Sequence, residues 1–426
     1  MSPSSAASRR SAPHLILARA FLPRADRWIE RGALVVHAGR IQAVLAGARR
    51  VARHAERALE RIDLGEVVVT PGLVNAHAHL ELPALGAAPG GPEDFQAWIG
   101  RVLAARAAVG PDDYTRAWER AAARALATGT TLVADVDSTG AWCRGASERA
   151  SRRAPRVRVL REFLDAFDGR RTPGALARLE EPIPKRARTL HGYSPHAPHT
   201  VSDALLDAIA RRTRAQHGWI GVHWAETPEE REWLEHGRGP FAARLGRSPQ
   251  VAGLERLAAR GLLGPRTTLF HGNDARPHEL DRIARAGATL VHCPGTHAWF
   301  AREPVDLHAW EHRGVRLALG TDSLASNTDL DLALELARLR AAHPRVAPER
   351  AWDWATRGGA SALGCAGRAG ELRPGAWADL AAWRIERWTR AEALDALTLR
   401  SAALDSVWLA GARAEGAALP AHGSEW

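Results

Sequence analysis

A chain of 426 residues can bury a large core, and 46% hydrophobic with 25% charged residues is the balance of an ordinary globular protein, which excludes a disordered or fibrous chain. No apolar run approaches the roughly 20 residues of a membrane-spanning helix, and nothing near the start resembles a secretory signal, so no membrane partner is expected and a cytoplasmic location is. Most of the formal charge of +10 sits before residue 62, where twelve arginines face four acids; only Phe21 and Trp28 accompany them, too few aromatics for a stacking platform, and no nucleic-acid partner is expected.

In chain order, residues 1–13 are rich in Ser, Ala and Arg and read as a disordered leader. Short β-like runs at 14–18, 33–37 and 40–45 follow, separated by turn residues such as Gly32 and Gly39. A long region then alternates two kinds of pattern. Strand-like runs lie at 67–75, 130–136, 156–163, 188–193, 219–224, 267–271, 288–292 and 315–320. Helical periodicity marks 114–127, 202–217, 229–236, 277–286, 330–342 and 347–363. Eight strands alternating with helices predict an α/β fold, a (β/α)8 TIM-type barrel with its active site at the C-terminal strand ends. The tail returns to β-like runs at 370–383 and 406–411. The expected domains are a barrel over 66–365 and a small β-sandwich built from the flanks 14–65 and 366–420. Cys143, Cys293 and Cys365 are widely spaced, with no Cys-x-x-Cys, and read as reduced thiols.

His77 and His79 end the first of these apolar runs. On a strand, residues i and i+2 project to the same side, so both imidazoles can meet one ion. His223, His271 and Asp322 each end another short apolar run, and strand ends that deliver metal-type ligands make a barrel mouth. Glu226, three residues past His223, is either a proton-shuttling carboxylate or a first-turn acid of the helix beginning near Thr227; the catalytic role is the one expected. His196 and His199 lie in a Pro-punctuated loop after the fourth strand, where they contact substrate or cap the loop; His196 is assigned to substrate. Trp224 and Trp299 lie near the mouth, where they either stack on a heteroaromatic ring or are there by coincidence. Glu81 and Ser323 complete the candidate substrate contacts. His191, His217 and His308 read as satisfied polar residues. His-Glu-x-x-His, Gly-x-Ser-x-Gly and the P-loop are absent, and His54-Ala55-Glu56 lacks the Pro-Cys-x-x-Cys that must accompany it in a zinc deaminase of the other type.

The segments 70–80, 194–199, 223–226, 292–294 and 320–327 resemble the amidohydrolase superfamily. Within it they resemble the branch of cytosine, guanine, adenosylhomocysteine and aminodeoxyfutalosine deaminases and triazine hydrolases. The resemblance runs from about His14 into the tail. It implies one divalent ion, zinc or alternatively iron, held by His77, His79, His223 and Asp322 with a water in the open position. It further implies that Asp322 takes a proton from that water, His271 orients it, and Glu226 protonates a ring nitrogen as the water attacks the adjacent carbon. Two-metal relatives bridge their ions with a carboxylated lysine after the fourth strand; the only lysine here, Lys185, precedes that strand, which leaves one ion.

The expected function is hydrolytic deamination of an amidine-bearing, purine-nucleoside-like small molecule, aminodeoxyfutalosine first, with a homodimer possible. The alternatives are hydrolysis of a chloride or amide on a related ring and, in another class, a catalytically silent barrel that binds a partner. An intact ligand set argues against the last. One departure stands out: Gly295 follows Cys293-Pro294 where relatives carry a polar side chain that reaches the substrate, so no single relative's specificity transfers.

Overall fold

The computed structural model describes residues 13–55, 60–86, 94–145, 153–184, 186 and 188–414. The leader up to residue 12, Glu56, Lys185 and the end of the second flank from residue 415 lie outside the described residues.

Eight parallel strands form one sheet whose spatial order is their chain order: Leu73–Ala78, Thr130–Asp137, Arg156–Phe163, Thr189–Pro195, Ile220–Trp224, Thr267–His271, Thr289–His292 and Arg316–Leu319. A parallel bridge between Ala78 and Asp322 joins the first strand to the end of the eighth, and the N–H groups of Thr321 and Asp322 both donate to the His77 carbonyl at 3.0 Å. The barrel therefore closes at the predicted ligands themselves. Asn75 reinforces the seam: its Nδ2 donates to Thr321 Oγ1 at 2.8 Å and its Oδ1 accepts from the Thr321 N–H at 3.2 Å.

Strands buried on both faces read as unbroken apolar runs, which is why they were visible in the sequence. Val74, Leu132, Ala134, Leu160, Phe270, Val291 and Ala318 share one cluster. Val133, Val157 and Val159 pack against Trp118 and Ala121 of the helix Pro111–Ala127.

The flanks build two further sheets. One has the order Arg40–Leu45, Ala33–His37, His14–Leu17, Glu60–Asp63; the other runs Ala412–Arg413, Ala403–Leu409, Leu380–Arg384, Val68–Pro71, Ala20–Arg24, Arg27–Glu30. Ile16, Leu34 and Ile41 of the first share a core with Phe21, Val69, Leu380 and Trp408 of the second, so the two sheets form the small sandwich beside the barrel. The fold is α/β, a TIM-type barrel with flanking sheets.

Two expectations need correction. The run 67–75 is two strands, not one, divided at Gly72. A Cβ there would overlap the Thr131 side chain, so the backbone passes tightly against the second barrel strand as it changes sheets. The expected helix 347–363 is Pro348–Asp353, a π turn Trp354–Gly358 and Gly359–Ala362. Gly358 and Gly359 press the widened turn against the barrel: a Cβ on the first would overlap the Leu317 carbonyl, and one on the second would lie 2.6 Å from the Val74 carbonyl. No helix among the described residues is long and apolar enough to cross a membrane.

Candidate active site

His77, on the first barrel strand, has no exposed surface, and its ring stacks on Phe270 with centroids 3.9 Å apart. Its Nε2 lies 3.4 Å from Asp322 Oδ1, and the Nε2 of His79 lies 3.7 Å from the same oxygen. His79 Nε2 also faces His223 Nε2 at 3.2 Å. Donor atoms of His77, His223 and His271, and likewise of His77, His79 and Asp322, lie within 4.8 Å of one another. The structure thus brings all five predicted residues into one cluster.

The surroundings aim these groups inward. His223 Nδ1 contacts the His196 carbonyl at 2.9 Å; as donor to that oxygen it leaves Nε2 with a lone pair for the site. Asp322 Oδ2 accepts from the hydroxyls of Thr296 and Ser326, each at 3.1 Å, which reserves Oδ1 for the cluster. Burial first, then the neighbouring His77, pushes the His79 pKa down to about 4, and burial holds His223 and His271 well below their ordinary value. These three imidazoles, of His79, His223 and His271, are therefore neutral, the form that ligates a metal. Neither ring nitrogen of His77 has a protein hydrogen-bond partner, although both are buried. Buried polar atoms left unpaired are costly, and a cation at the meeting point of these donors satisfies Nε2, the nitrogen that faces Asp322. The donor set fits a metal ion.

His271 (φ 72°) and Asp322 (φ 55°) both adopt left-handed backbone, as does Ala225 (φ 49°) at the turn that delivers Glu226. Non-glycine residues held in this region cluster at functional sites. Glu226 precedes the cap residue Thr227 of the helix Pro228–His236, whose first-turn acids are Glu229 and Glu230. Its carboxyl instead turns to the cluster, with Oε2 3.8 Å from His271 Nε2 and Oε1 3.9 Å from Arg302 Nη2. Burial pushes its pKa up to about 8, against the pull of Arg302.

The predicted substrate contacts fare unevenly. The His196 ring lies 4.7 Å from that of His223, with its Nδ1 2.7 Å from Thr200 Oγ1. Ser323 is buried beside Asp322. Glu81 departs from expectation: its two oxygens are taken up by the backbone and hydroxyls of Ser138 and Thr139, so it ties the loops after the first and second strands rather than offering a carboxylate to a ligand. Trp224 is 2% exposed and part of the large apolar core, which excludes stacking on a substrate. Trp299 is half-buried and meets Phe300 edge-on at 4.7 Å; it is Phe300, not Trp299, that carries the Arg302 guanidinium, 4.5 Å above its ring. At Gly295 a Cβ would overlap Arg338 and Glu335, and the Gly295 N–H donates to Glu335 Oε2 at 2.5 Å. A buried network occupies the space a side chain would need.

Two site residues were missed. Glu162, next to last in the third strand, has donor atoms of His196 and His223 within 4.8 Å, and its buried Oε1 has no hydrogen-bond partner. An acid near the end of an apolar strand was the available signal. Arg302, whose Nη1 is buried without a partner, follows an unpredicted helix, Pro294–Trp299, and nothing marked it among the many arginines.

Neutral imidazoles and a carboxylate gathered at the C-terminal mouth of an eight-stranded barrel, with a second carboxyl poised beside them, define a hydrolase of the metal-dependent barrel class. The amidohydrolase family model matches residues 68–411; the chain belongs to this family and is a hydrolytic enzyme. A 5-methylthioadenosine/S-adenosylhomocysteine deaminase of Nitratidesulfovibrio vulgaris is 33% identical over 368 residues, 83% of this chain and 79% of that protein. Among solved structures, the aminofutalosine deaminase of Helicobacter pylori in complex with methylthio-coformycin has a TM-score of 0.83 at 22% identity, covering 94% of this chain and 99% of that one. An adenosine deaminase from Xanthomonas campestris with bound zinc has a TM-score of 0.75 at 24% identity, covering 94% and 92%.

Proposed function

We propose that this enzyme hydrolytically removes the amino group of a 6-aminopurine nucleoside, releasing ammonia, with one zinc ion per chain. The observation that carries the reading is the pairing of the five-residue donor cluster with Glu226, a buried carboxyl facing it. His77, His79, His223 and Asp322 would hold the ion, and nitrogen donors with one carboxylate suit zinc. When bound, the ion supplies Lewis-acid polarisation of a water and lowers its pKa toward neutrality.

The chain's own residues do the rest. Asp322 accepts a proton from the attacking water, and His271 orients that water by hydrogen bond. Glu226, held protonated by burial at neutral pH, gives its proton to the ring nitrogen beside the amino-bearing carbon. Arg302, at the other Glu226 oxygen, favours the carboxylate that results. The proton taken up by Asp322 then passes to the amino group, the carbon–nitrogen bond breaks and ammonia leaves, while the adduct's hydroxyl returns its proton to Glu226 as the carbonyl forms. Glu162, with an unsatisfied buried oxygen beside His196, accepts an N–H or O–H of the bound substrate.

The relatives named for 5-methylthioadenosine, S-adenosylhomocysteine and adenosine support the adenosine-type ring. Aminodeoxyfutalosine, the substrate expected from sequence, belongs beside them in the assay, since a deaminase named for aminofutalosine shares the fold. Incubation of zinc-loaded enzyme with each nucleoside, and separately with a chlorotriazine, tests the proposal. Ammonia from at least one nucleoside and no chloride from the triazine is the expected result. Chloride without ammonia would replace deamination by the second reading.

A further inference from the structure

A cavity of about 330 Å³ opens at the N-terminal ends of the barrel strands, on the side opposite the active site, and Arg158, His191, His217, Trp219, Arg266 and Arg368 are among the residues that line it. Three guanidinium groups come from three separate segments, and the lining contains no aspartate or glutamate. Arg158 is only 6% exposed, and arginine is rarely buried so completely without a carboxylate. Other arginines of this barrel obey that rule: Arg156, two residues earlier, pairs with Asp379, Arg256 with Asp203, and Arg231 with Asp274 and Glu279.

No cavity arginine has a carboxylate partner among the described residues. Arg158 donates from Nε to the Leu363 carbonyl and from Nη1 to the His191 carbonyl, both at 2.8 Å. Arg266 donates to the His217 carbonyl at 2.8 Å and Arg368 to the Gly364 carbonyl at 2.6 Å. Carbonyls orient these side chains without neutralising them. His191, expected from the sequence to be a satisfied polar residue, departs from that reading: its Nδ1 is buried and has no hydrogen-bond partner. Burial first, and then the charge of Arg158, holds His191 below its ordinary pKa, so the neutral ring can donate from that nitrogen.

We propose that this cavity binds a small phosphate-type oxyanion. Arginines that line one cavity from three separate segments suit the spread oxygens of a tetrahedral phosphoryl group better than one planar carboxylate. An occupant would bridge the third strand, the turn before the sixth strand and the segment 364–368 that leads from the barrel into the C-terminal flank. Anion binding here should therefore stiffen the seam between barrel and sandwich.

The test is calorimetric and thermal titration of the full zinc-loaded chain with inorganic phosphate, against sodium chloride of equal ionic strength. Saturable binding of one anion per chain and a rise in Tm are expected. Arg266→Gln with Arg368→Gln, neither in the catalytic machinery, should weaken binding at least about tenfold, the effect of losing one charge-assisted hydrogen bond, and leave turnover unchanged. If the double variant does not fold, Arg266→Gln alone, at an exposed position, provides the comparison. A titration that does not saturate, or that the variants leave unaltered, would overturn the proposal. So would competition between phosphate and nucleoside substrate, which would place the anion in the active site, or tighter binding of succinate, which would make the cavity a carboxylate site.

Discussion

Glu226 and His77 show how little of a functional residue is its type and how much is its placement. Glu226 turns away from the helix that follows it and keeps its carboxyl beside His271, so its chemistry is separable from folding and from ion binding. Glu226→Gln should retain the metal, read by elemental analysis, and lose about 10²–10⁴-fold in turnover, the usual contribution of a general acid or base; a wild-type rate would return Glu226 to the role of a surface acid. His77 depends on a neighbour without a side chain. A Cβ on Gly320 would lie 2.8 Å from both the Cβ and the carbonyl oxygen of His77. Gly320→Ala should therefore cost about 1–3 kcal/mol of stability by overpacking and weaken metal retention, both measurable by denaturation with and without zinc. His77, His79, His223 and Asp322 were legible because each ends an apolar run. Arg302 was not, because its place depends on the turn after a short helix that carries no periodic signal.

Among the elements, the loops after the first two barrel strands are joined by buried acids. Glu81 is hydrogen-bonded to Ser138, Thr139 and Asp137, while Trp118 Nε1 donates to Asp135 Oδ2 at 2.7 Å. Burial and then the charge of Glu81 raise Asp137 well above its ordinary value and Asp135 from 3.8 to about 7. Of the touching pair, Glu81 carries the charge and Asp137 the proton. The sign follows: the unfolded chain releases these protons in the ordinary carboxylate range, while the folded protein keeps them, so this cluster loses stability as pH rises from about 4 to about 7. Asp137→Asn keeps a donor for Glu81 and has no proton to lose. Urea titrations across that window should show a shallower fall for the variant, and an unchanged slope would refute the shared-proton arrangement. The helix pattern 347–363 and the strand run 67–75 were both legible as periodicity. Their interruptions at Gly358–Gly359 and Gly72 were not, since each exists to avoid a residue distant in sequence, Leu317 or Val74 in one case and Thr131 in the other.

At the scale of the whole molecule, alternation of strands and helices sufficed to read a barrel, because each βα unit is local. The sandwich was legible only as loose β-like runs. Its central strand Val68–Pro71 pairs with Ala20–Arg24 on one side and Leu380–Arg384 on the other, and no local pattern encodes partners so far apart. The proposed ligands lie at the ends of the first, fifth and eighth strands, so an ion bound there would oppose barrel opening. Chelation should lower Tm, one equivalent of zinc should restore it, and a second equivalent should add nothing; two ions needed per chain would contradict the single-ion site. In the proposed reaction this cluster replaces an amino group on a purine with oxygen from water. Turnover of the best adenosine-type nucleoside in heavy-oxygen water, with ammonia and the product's new carbonyl oxygen measured together, is the direct test. One ammonia and one solvent oxygen per product are expected, and both should be abolished in the His223→Ala variant. Product without ammonia, or turnover that survives loss of His223, would contradict the proposed reaction.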